Sequence, residues 1–236
     1  MKICAIIPTY NHRKKLGEII SALPEGVCAI VVDDGSNPPI MLNSDRAMLF
    51  RFEKNCGKAH ALKFAFEKSY SMGFTHAITL DADGQHPPSL VPDFISCANA
   101  NPDSLILGVR DFDNSAIPPA RKFMNKFSNF WFWAETGKHA GDTQCGFRCY
   151  PLKQILSLNM DFGGFVFETE LLVKAVWADV DIKEIKIPAI YDDETVAGSH
   201  YRPVVDTFRF TMMNTKLFFA SVFLTRKRLK KMSIKK

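Results

Sequence analysis

The chain has 236 residues, of which 47% are hydrophobic and 23% charged, and its formal net charge is +5. This composition excludes a disordered chain, a collagen-like repeat and a small disulfide scaffold. The last eleven residues, 226–236, hold seven Lys or Arg and no acid, so the remaining body carries 23 basic and 25 acidic residues. A body without a basic excess argues against binding to nucleic acid.

Cysteine usage and hydropathy indicate the compartment. The six cysteines form no C-x-x-C pair, and in a domain of this size they predict reduced thiols in a cytosolic protein. The apolar run before Pro8 is too short for a signal peptide, and no apolar stretch approaches the length of a membrane span. We therefore expect a soluble or membrane-associated protein.

The first half of the chain alternates short apolar runs with helical patterns. The apolar runs predict five strands, at 4–8, 27–34, 48–52, 76–83 and 104–109. Helical patterns occur around 13–23 and 58–72. Apolar runs joined by helical crossovers favour a mostly parallel sheet that is buried on both faces. In such sheets ligands bind beyond the carboxyl ends of the strands.

The second half is less regular. We predict a helix over 119–135 with an aromatic cluster, a loop entering a strand over 142–150, a helix over 165–176 and an edge strand over 181–191. Because the chain shows no internal repeat and no linker-like segment, residues 1–203 are predicted to form one catalytic domain.

The C-terminal segment, 204–236, combines an apolar helical face with a polybasic tail. Apolar residues recur at helical spacing up to about residue 224, among them Phe208, Met212 and Phe219, and the basic tail follows directly. An amphipathic helix joined to a basic cluster is typical of attachment to an anionic membrane surface. We predict that this segment associates with the membrane as part of the same unit.

The fourth predicted strand ends in two carboxylates, and an amide follows them, in TLDADGQHPP (79–88). In an extended segment Asp81 and Asp83 point to the same side, because strand side chains alternate with a period of two. Together with Gln85 they form an oxygen-rich set suited to Mg²⁺ or Mn²⁺, with water and substrate phosphates in the remaining positions. The sequence therefore predicts a metal and phosphate site here.

A second acidic pair, Asp33 and Asp34, follows the second predicted strand in VVDDGS (31–36). A carboxylate at such a strand end can accept hydrogen bonds from a nucleobase or a ribose hydroxyl. The DGS tripeptide is also typical of an ordinary turn. Its place beside the Asp81 and Asp83 strand favours a nucleotide-binding role.

Four segments, in this order, resemble the family 2 glycosyltransferases: IPTYN (7–11), VVDDGS (31–36), NCGKAHAL (55–62) and LDADGQHPP (80–88). The chain is most similar to the dolichyl- or polyprenyl-phosphate sugar synthase branch, in which D-A-D-x-Q-H-P-P is characteristic. The resemblance spans residue 3 to about residue 150. It implies an α/β fold of the GT-A type, with a Rossmann-like, mostly parallel central sheet flanked by helices and followed by the C-terminal amphipathic helix.

The resemblance also implies an activity. This is the metal-dependent, inverting transfer of a single sugar from a UDP- or GDP-linked donor, with Mg²⁺ or Mn²⁺ as cofactor. The acceptor is a lipid-linked group, with a polyprenyl phosphate as the first expectation, at the cytoplasmic face of the membrane. The Q-x-x-R-W motif of processive synthases is absent, which favours transfer of one sugar.

The resemblance assigns eleven residues to the nucleotide-sugar site: Pro8, Tyr10, Asn11, Asp33, Asp34, Lys58, Asp81, Ala82, Arg110, Arg121 and Arg202. Asn11 departs from the branch, which often has Glu at this position. Arg110, Arg121 and Arg148 are expected to face phosphates. The late loop with His200, Tyr201 and Arg202 is expected to close over the donor.

The predicted catalytic residues are Asp83, Asp142 and Arg148. Asp83 with its metal, and Arg148, would stabilise the negative charge that develops on the leaving diphosphate. A lipid phosphate is already anionic and needs no base, whereas a hydroxyl acceptor in glycolipid or cell-envelope polysaccharide synthesis would need one. Asp142 is the first candidate base. Glu168 and Glu170 come second, and because they lie about 200° apart on a helix only one of them can face the site.

Two other functions stay open from the sequence. A nucleotidyltransferase also uses paired acids on a related sheet, but PTYNHRKKL lacks the expected glycine-rich loop. A non-catalytic membrane-binding module would keep the basic tail without needing Asp81, Asp83 and Gln85 together. A dinucleotide oxidoreductase is disfavoured, because no G-x-G-x-x-G follows the first strand, and NCGKA is not a phosphate-binding P-loop.

Overall fold

A single mixed sheet forms the centre of the protein, whose computed structural model describes residues 1–112, 117–190 and 203–235. Its strands, in chain order, are β1 (Ile3–Thr9), β2 (Cys28–Asp33), β3 (Ala47–Arg51), β4 (His76–Thr79), β5 (Leu105–Arg110), β6 (Arg148–Pro151) and β7 (Ile182–Ile187). Across the sheet the order is β3-β2-β1-β4-β6-β5-β7. β6 runs antiparallel to β4 and β5, and the other pairs are parallel.

Helices cover the sheet and the segments between its strands. They are α1 (Leu16–Ser21), α2 (Lys58–Ser71), α3 (Val91–Ala100), α4 (Pro119–Thr136), α5 (Leu152–Leu156), α6 (Phe167–Trp177), α7 (Pro203–Phe223) and α8 (Arg226–Ser233). Short 3₁₀ turns precede α3 and α6. The predicted fold class is confirmed: a mostly parallel central sheet flanked by helices, with a helix at the C-terminal end.

The buried strands explain why the chain folds in this way. The apolar side chains of β1 and β2 are almost entirely buried, which matches their near-continuous apolar runs. The edge strand β7 is mostly partly exposed or exposed, and only its last residue, Ile187, is buried. β1 lies between β2 and β4, so the loops that leave the carboxyl ends of these three strands are neighbours.

The fourth strand is shorter than predicted. Pairing of β4 ends at Thr79, which lies opposite Arg148, and the chain turns immediately afterwards. Asp81 and Asp83 therefore follow the strand in a turn instead of continuing it. Their proximity comes from the turn, which Gly84 permits with a φ of +82°.

The basic C-terminal segment is also different from the predicted tail. Residues 226–233 form α8, which packs on α6 and buries Leu229. Arg226 and Lys230 each lie 2.7 Å from a carboxylate oxygen of Asp179. The basic residues are thus carried on a docked helix, and part of their charge is already paired.

Among the described residues, no helix is both long and apolar enough to cross a bilayer. The division between residues 1–203 and 204–236 stays a prediction.

Candidate active site

The loop after β4 carries the predicted metal ligands. The Asp81 backbone N–H donates to His86 Nδ1 at 3.0 Å, and the Gln85 N–H donates to Asp83 Oδ1 at 3.0 Å. Ala82 is buried, which holds the loop against the body of the protein. A Cβ at Gly84 would lie 2.6 Å from Lys15 Cδ, so the residues just before α1 pack against this loop.

Lys58, the first residue of α2, joins two acids from distant parts of the chain. Its Nζ lies 2.8 Å from Asp81 Oδ1 and 3.0 Å from Glu168 Oε2. Its side chain is 31% exposed, so the cluster opens to solvent. Burial alone would lower the pKa of Lys58, but the carboxylates of Asp81 and Glu168 outweigh it and hold that pKa above its usual value. Lys58 is therefore a permanent positive charge.

The two loop carboxylates differ in their electrostatics. Burial disfavours the charged form of Asp81, but Lys58 and His86 outweigh it and hold the pKa of Asp81 well below its usual range. Burial and the neighbouring Asp81 carboxylate raise the pKa of Asp83. Asp81 is thus ionised before any ligand arrives, whereas Asp83 forms no ion pair with a described residue.

The donor set fits a hard divalent cation. Asp81 and Asp83 supply carboxylate oxygens from one turn, and such oxygens are what Mg²⁺ and Mn²⁺ prefer. In the described part of the chain, no group of three or more His, Cys, Asp or Glu side chains is arranged to hold a metal. An ion at Asp81 and Asp83 would therefore need further oxygens from water, from Gln85 and from a phosphorylated substrate.

Asp33, at the end of β2, accepts hydrogen bonds from the loop that follows this strand. Asp33 is buried and accepts from the backbone N–H groups of Ser36 (2.8 Å) and Ile40 (3.1 Å), and it also pairs with Arg51. These hydrogen bonds and the Arg51 charge outweigh burial, so the pKa of Asp33 lies below its usual value. Both Asp33 oxygens are used inside the protein. The structure therefore does not support the predicted role of Asp33 as the acceptor for a base or ribose.

Asp34 fixes the approach to Lys58. Its carboxylate accepts from the backbone N–H groups of Cys56 at 2.7 Å and Gly57 at 2.8 Å, just before α2 begins. Gly35 is required here, because its φ is +77° and a Cβ would lie 2.5 Å from the backbone carbon of Lys54. Asp34 thus sets the start of α2 and contributes to the site by positioning Lys58.

Residues from the end of β1 complete this edge. Pro8 and Tyr10 are partly exposed, and Asn11 is exposed with a φ of +61°. The Asn11 N–H donates to Ser36 Oγ at 2.8 Å, and its Oδ1 accepts from the Asn37 N–H at 2.9 Å. The loops after β1 and β2 therefore form one connected edge, where Pro8 and Tyr10 remain accessible to a ligand.

Arg110, at the end of β5, is held by a buried acid. Its Nε lies 2.6 Å from Asp142 Oδ2 and its Nη2 lies 3.0 Å from Asp142 Oδ1. Asn125 of α4 and the backbone N–H of Gln144 also donate to Asp142. Asp142 is fully buried with both oxygens engaged, so its geometry is that of a residue that positions Arg110. This corrects the prediction of Asp142 as a free general base.

Arg148 has a different role from the predicted one. Its guanidinium is buried and donates to three backbone carbonyls: Cys145 O at 2.7 Å, Glu168 O at 2.7 Å and Thr143 O at 2.9 Å. Arg148 therefore cross-links the segment before β6 to the start of α6. It does not face a phosphate site, because its donors are spent inside the protein.

Glu168 is the site residue that the sequence indicated least clearly. It lies in the first turn of α6 and pairs with Lys58, whereas Glu170 is buried and pairs with Lys174 at 2.9 Å. As the helical spacing requires, only one of these two acids faces the site. In the sequence, the F-E-T-E segment at a helix start indicates that an acid could face the site, but it does not indicate which of the two acids does so.

Two predicted arginines remain, Arg121 and Arg202. Arg121 lies in the first turn of α4 and is partly exposed. Arg202, with His200 and Tyr201, lies outside the described residues. The structure brings Lys58 together with the loop that carries Asp81, Ala82 and Asp83, and the binding roles of these residues stay predictions.

Comparison with known proteins gives one family. Residues 4–156 match the family model described as Glycosyl transferase family 2. This match favours glycosyl transfer over nucleotidyl transfer or a non-catalytic membrane module.

Two curated relatives cover most of the chain. A UDP-N-acetylglucosamine–dolichyl-phosphate N-acetylglucosaminyltransferase of Methanococcus voltae is 26% identical over 83% of this chain and 88% of its own length. A polyprenol monophosphomannose synthase of Mycolicibacterium smegmatis is 26% identical over 77% of this chain and 75% of its own length.

A solved structure shares the fold. Glucosyl-3-phosphoglycerate synthase from Mycobacterium tuberculosis, in complex with Mn²⁺, UDP and glucosyl-3-phosphoglycerate, superposes with a TM-score of 0.59 at 16% identity. The alignment covers 93% of this chain and 78% of that one. At this identity the likeness shows the fold alone.

Proposed function

The chain belongs to glycosyl transferase family 2 and is a glycosyltransferase, and on this premise we propose that it moves one sugar from a nucleotide-sugar donor to a lipid phosphate. The proposed acceptor is a polyprenyl phosphate. The observation that carries this proposal is the cluster of Lys58, Asp81, Asp83 and Glu168 beside a β4 loop that fits a divalent cation.

The donor is proposed to bind across the carboxyl ends of β2, β1 and β4. Its base and ribose would lie at the edge formed by Pro8 and Tyr10, and its diphosphate would lie near Asp81 and Asp83. The proposed donor is UDP- or GDP-linked. UDP is supported by one curated relative, which is named for a UDP-linked donor, and by the fold neighbour, whose complex contains UDP. A bound Mg²⁺ or Mn²⁺ would neutralise the negative charge that develops on the leaving diphosphate.

The chain's own cations would act on the same charge. Lys58 and Arg110 are the fixed positive groups that we propose as the phosphate contacts, because a preorganised charge stabilises a leaving group without reorganising as the bond breaks. Asp142 and Asp34 hold these two cations in place. Lys58 and Arg110 thus take the charge-stabilising role that was predicted for Arg148.

A phosphate acceptor is supported by the engagement of the first candidate base. Both oxygens of Asp142 are held by Arg110, and Glu168 is paired with Lys58 through Oε2, although its Oε1 has no hydrogen-bond partner among the described residues. A phosphate nucleophile is already ionised and needs no proton removed, which suits a site of this kind. Both curated relatives are named for dolichyl or polyprenyl lipids, which supports the same acceptor class.

We further propose that transfer inverts the anomeric carbon and takes place at the cytoplasmic face of a membrane. Inversion follows if the phosphate attacks from the side opposite the leaving diphosphate in one step. The proposed acceptor is anchored in the membrane, and its phosphate lies at the bilayer surface.

A transfer assay with matched acceptors tests this function. UDP-N-acetylglucosamine and GDP-mannose are each offered with a polyprenyl phosphate or with the corresponding free polyprenol, in Mn²⁺ or in EDTA. We expect product with the phosphate only, with one donor and only in Mn²⁺, and NMR should show an inverted anomeric configuration. Product from the free polyprenol that is lost in Asp142→Asn would support the hydroxyl-acceptor alternative instead.

A further inference from the structure

One side of α4 exposes an aromatic stripe. Phe123, Phe127, Phe130 and Trp133 recur at steps of three or four residues, and each is at least 39% exposed. The opposite side of the helix, with Phe132 and its neighbours, is buried. Core packing therefore does not account for the aromatic stripe.

Helix α7 exposes a second apolar stripe next to the first. Its exposed residues include Phe208, Met212, Phe219 and Phe223, the last at 74%. The two helices pack together through pairs of aromatic rings. The ring centroids are 6.0 Å apart for Phe127 and Phe210 and 5.9 Å apart for Trp131 and Phe218. The two stripes thus form one surface, the two-helix face: the exposed residues of Pro119–Thr136 and Pro203–Phe223.

The charges on this surface all have one sign. Each helix has a single acid within the described residues, Glu135 in α4 and Asp206 in α7, and both are buried. The exposed charges include Lys126 and Arg209, which lie among the aromatic residues. Exposed aromatic rings interleaved with basic residues match the interface of an anionic bilayer, where rings enter the headgroup region and cations meet lipid phosphates.

We propose that the two-helix face docks on the surface of an anionic membrane. A second copy of the chain fits this surface less well. A symmetric dimer through it would place Lys126 and Arg209 of two copies in one interface without acids to pair them.

The position of the face relative to the site adds a reason for this docking. Asn125 of α4 donates to Asp142, which holds Arg110. At the N-terminal end of α7, Arg209 lies against Gly164, in the turn that leads into α6 and Glu168. Both helices of the face thus reach residues at the active site. The purpose of this docking would be to bring the active site within reach of a lipid phosphate. Only that purpose rests on the proposed function.

Vesicle binding without any sugar donor tests the surface independently of transfer. The full chain is sedimented with vesicles of phosphatidylcholine alone or with phosphatidylglycerol added, at low and high salt. Two variants remove one stripe each, Phe123→Ser/Phe130→Ser on α4 and Phe219→Ser/Phe223→Ser on α7. The matched control is Met41→Ser/Tyr70→Ser, which removes exposed apolar residues elsewhere.

We expect each stripe variant to weaken binding to the anionic vesicles about tenfold, because two buried aromatic contacts are lost. The control should bind like the unaltered chain, and binding should weaken at high salt. Brominated lipid should quench Trp133 fluorescence in the bound protein. Unchanged binding by both stripe variants, or a salt-insensitive dimer that the same substitutions abolish in the absence of vesicles, would overturn the proposal.

Discussion

Lys58 bridges Asp81 and Glu168, and its charge decides the electrostatics of the site before any ligand binds. The sequence made Asp81 and Asp83 recognisable, because they lie two residues apart in one motif. It could not pair Lys58 with Glu168, which are separated by most of the domain and meet only through the packing of α2 and α6. Local motifs were therefore predictable, and the charge partners supplied by tertiary structure were not.

Replacing Lys58 with Met should weaken nucleotide binding by about 10- to 100-fold, because a charge-assisted contact to phosphate contributes roughly 1.5–3 kcal/mol. Titration calorimetry with UDP and GDP in Mn²⁺ measures the change. Lys153→Met, an exposed lysine on α5, is the matched control and should bind normally. Normal binding by Lys58→Met would remove Lys58 from the donor site.

The buried Glu135 should make the stability of the fold depend on pH, independently of the active site. It is buried, neither of its carboxylate oxygens has a hydrogen-bond partner among the described residues, and burial raises its pKa from 4.5 to about 9. Between these values the folded chain holds a proton that the unfolded chain has released, so stability should fall as the pH rises. The limiting slope for one such group is about 1.4 kcal/mol per pH unit.

Glu135→Met should remove this slope and raise the free energy of unfolding at pH 8 by about 1–3 kcal/mol, since a buried polar group without partners is replaced by an apolar one. Urea unfolding of both proteins at pH 5 and pH 8 provides the comparison. Parallel losses of stability in the two proteins would show that Glu135 is not the group responsible.

Element ends determine where the site residues lie. β4 stops at Thr79, so the D-x-D segment is a turn, and β5 stops at Arg110, where Asp142 holds its guanidinium. We predicted that Asp81 and Asp83 lie together because strand side chains alternate. They do lie in one loop, but β4 has already ended there, so the turn and not the alternation explains it. The antiparallel β6 could not be inferred either, since a four-residue strand carries too little pattern to fix its direction.

Asp142→Asn should destabilise the fold by about 3 kcal/mol, because it leaves Arg110 without its buried partner. It should also slow transfer without shifting the pH profile, as expected for a residue that positions Arg110. Asp181→Asn is the control, because its pairs with Lys138 and Lys183 are exposed and such pairs contribute less than about 1 kcal/mol. Loss of the acidic limb of the pH profile in Asp142→Asn would instead restore the general-base role, because a base is inactivated by protonation at low pH.

The packing of α8 on the core should contribute to the stability of the protein. Leu229 is buried, and the following residues bond to the core, with the Asn159 N–H donating to Ser233 O at 2.8 Å and the Lys235 N–H donating to Ser157 O at 2.7 Å. Leu229→Ala should therefore cost about 2–3 kcal/mol of stability, whereas the exposed Lys227→Met should cost almost nothing. Equal unfolding midpoints for the two variants would mean that α8 is a free tail.

The mostly parallel central sheet is the feature of the whole molecule that the sequence predicted most clearly. Buried apolar runs and helical crossovers gave the parallel sheet, and the sheet brings the loops after β2, β1 and β4 together. The two-helix face was not predictable as one surface. Its α4 aromatic residues were noted as a cluster, but their alignment with α7 depends on how the two helices pack.

Donor binding tests the central claim most directly. The chain is titrated calorimetrically with UDP and with GDP, each in Mn²⁺ and in EDTA, and the titrations are repeated with Asp83→Asn and with the control Asp93→Asn on α3. We expect that one nucleotide binds in Mn²⁺, that EDTA abolishes this binding, and that Asp83→Asn loses it while Asp93→Asn keeps it. Binding of equal strength in EDTA, or in Asp83→Asn, would contradict a metal-dependent donor site at the β4 loop.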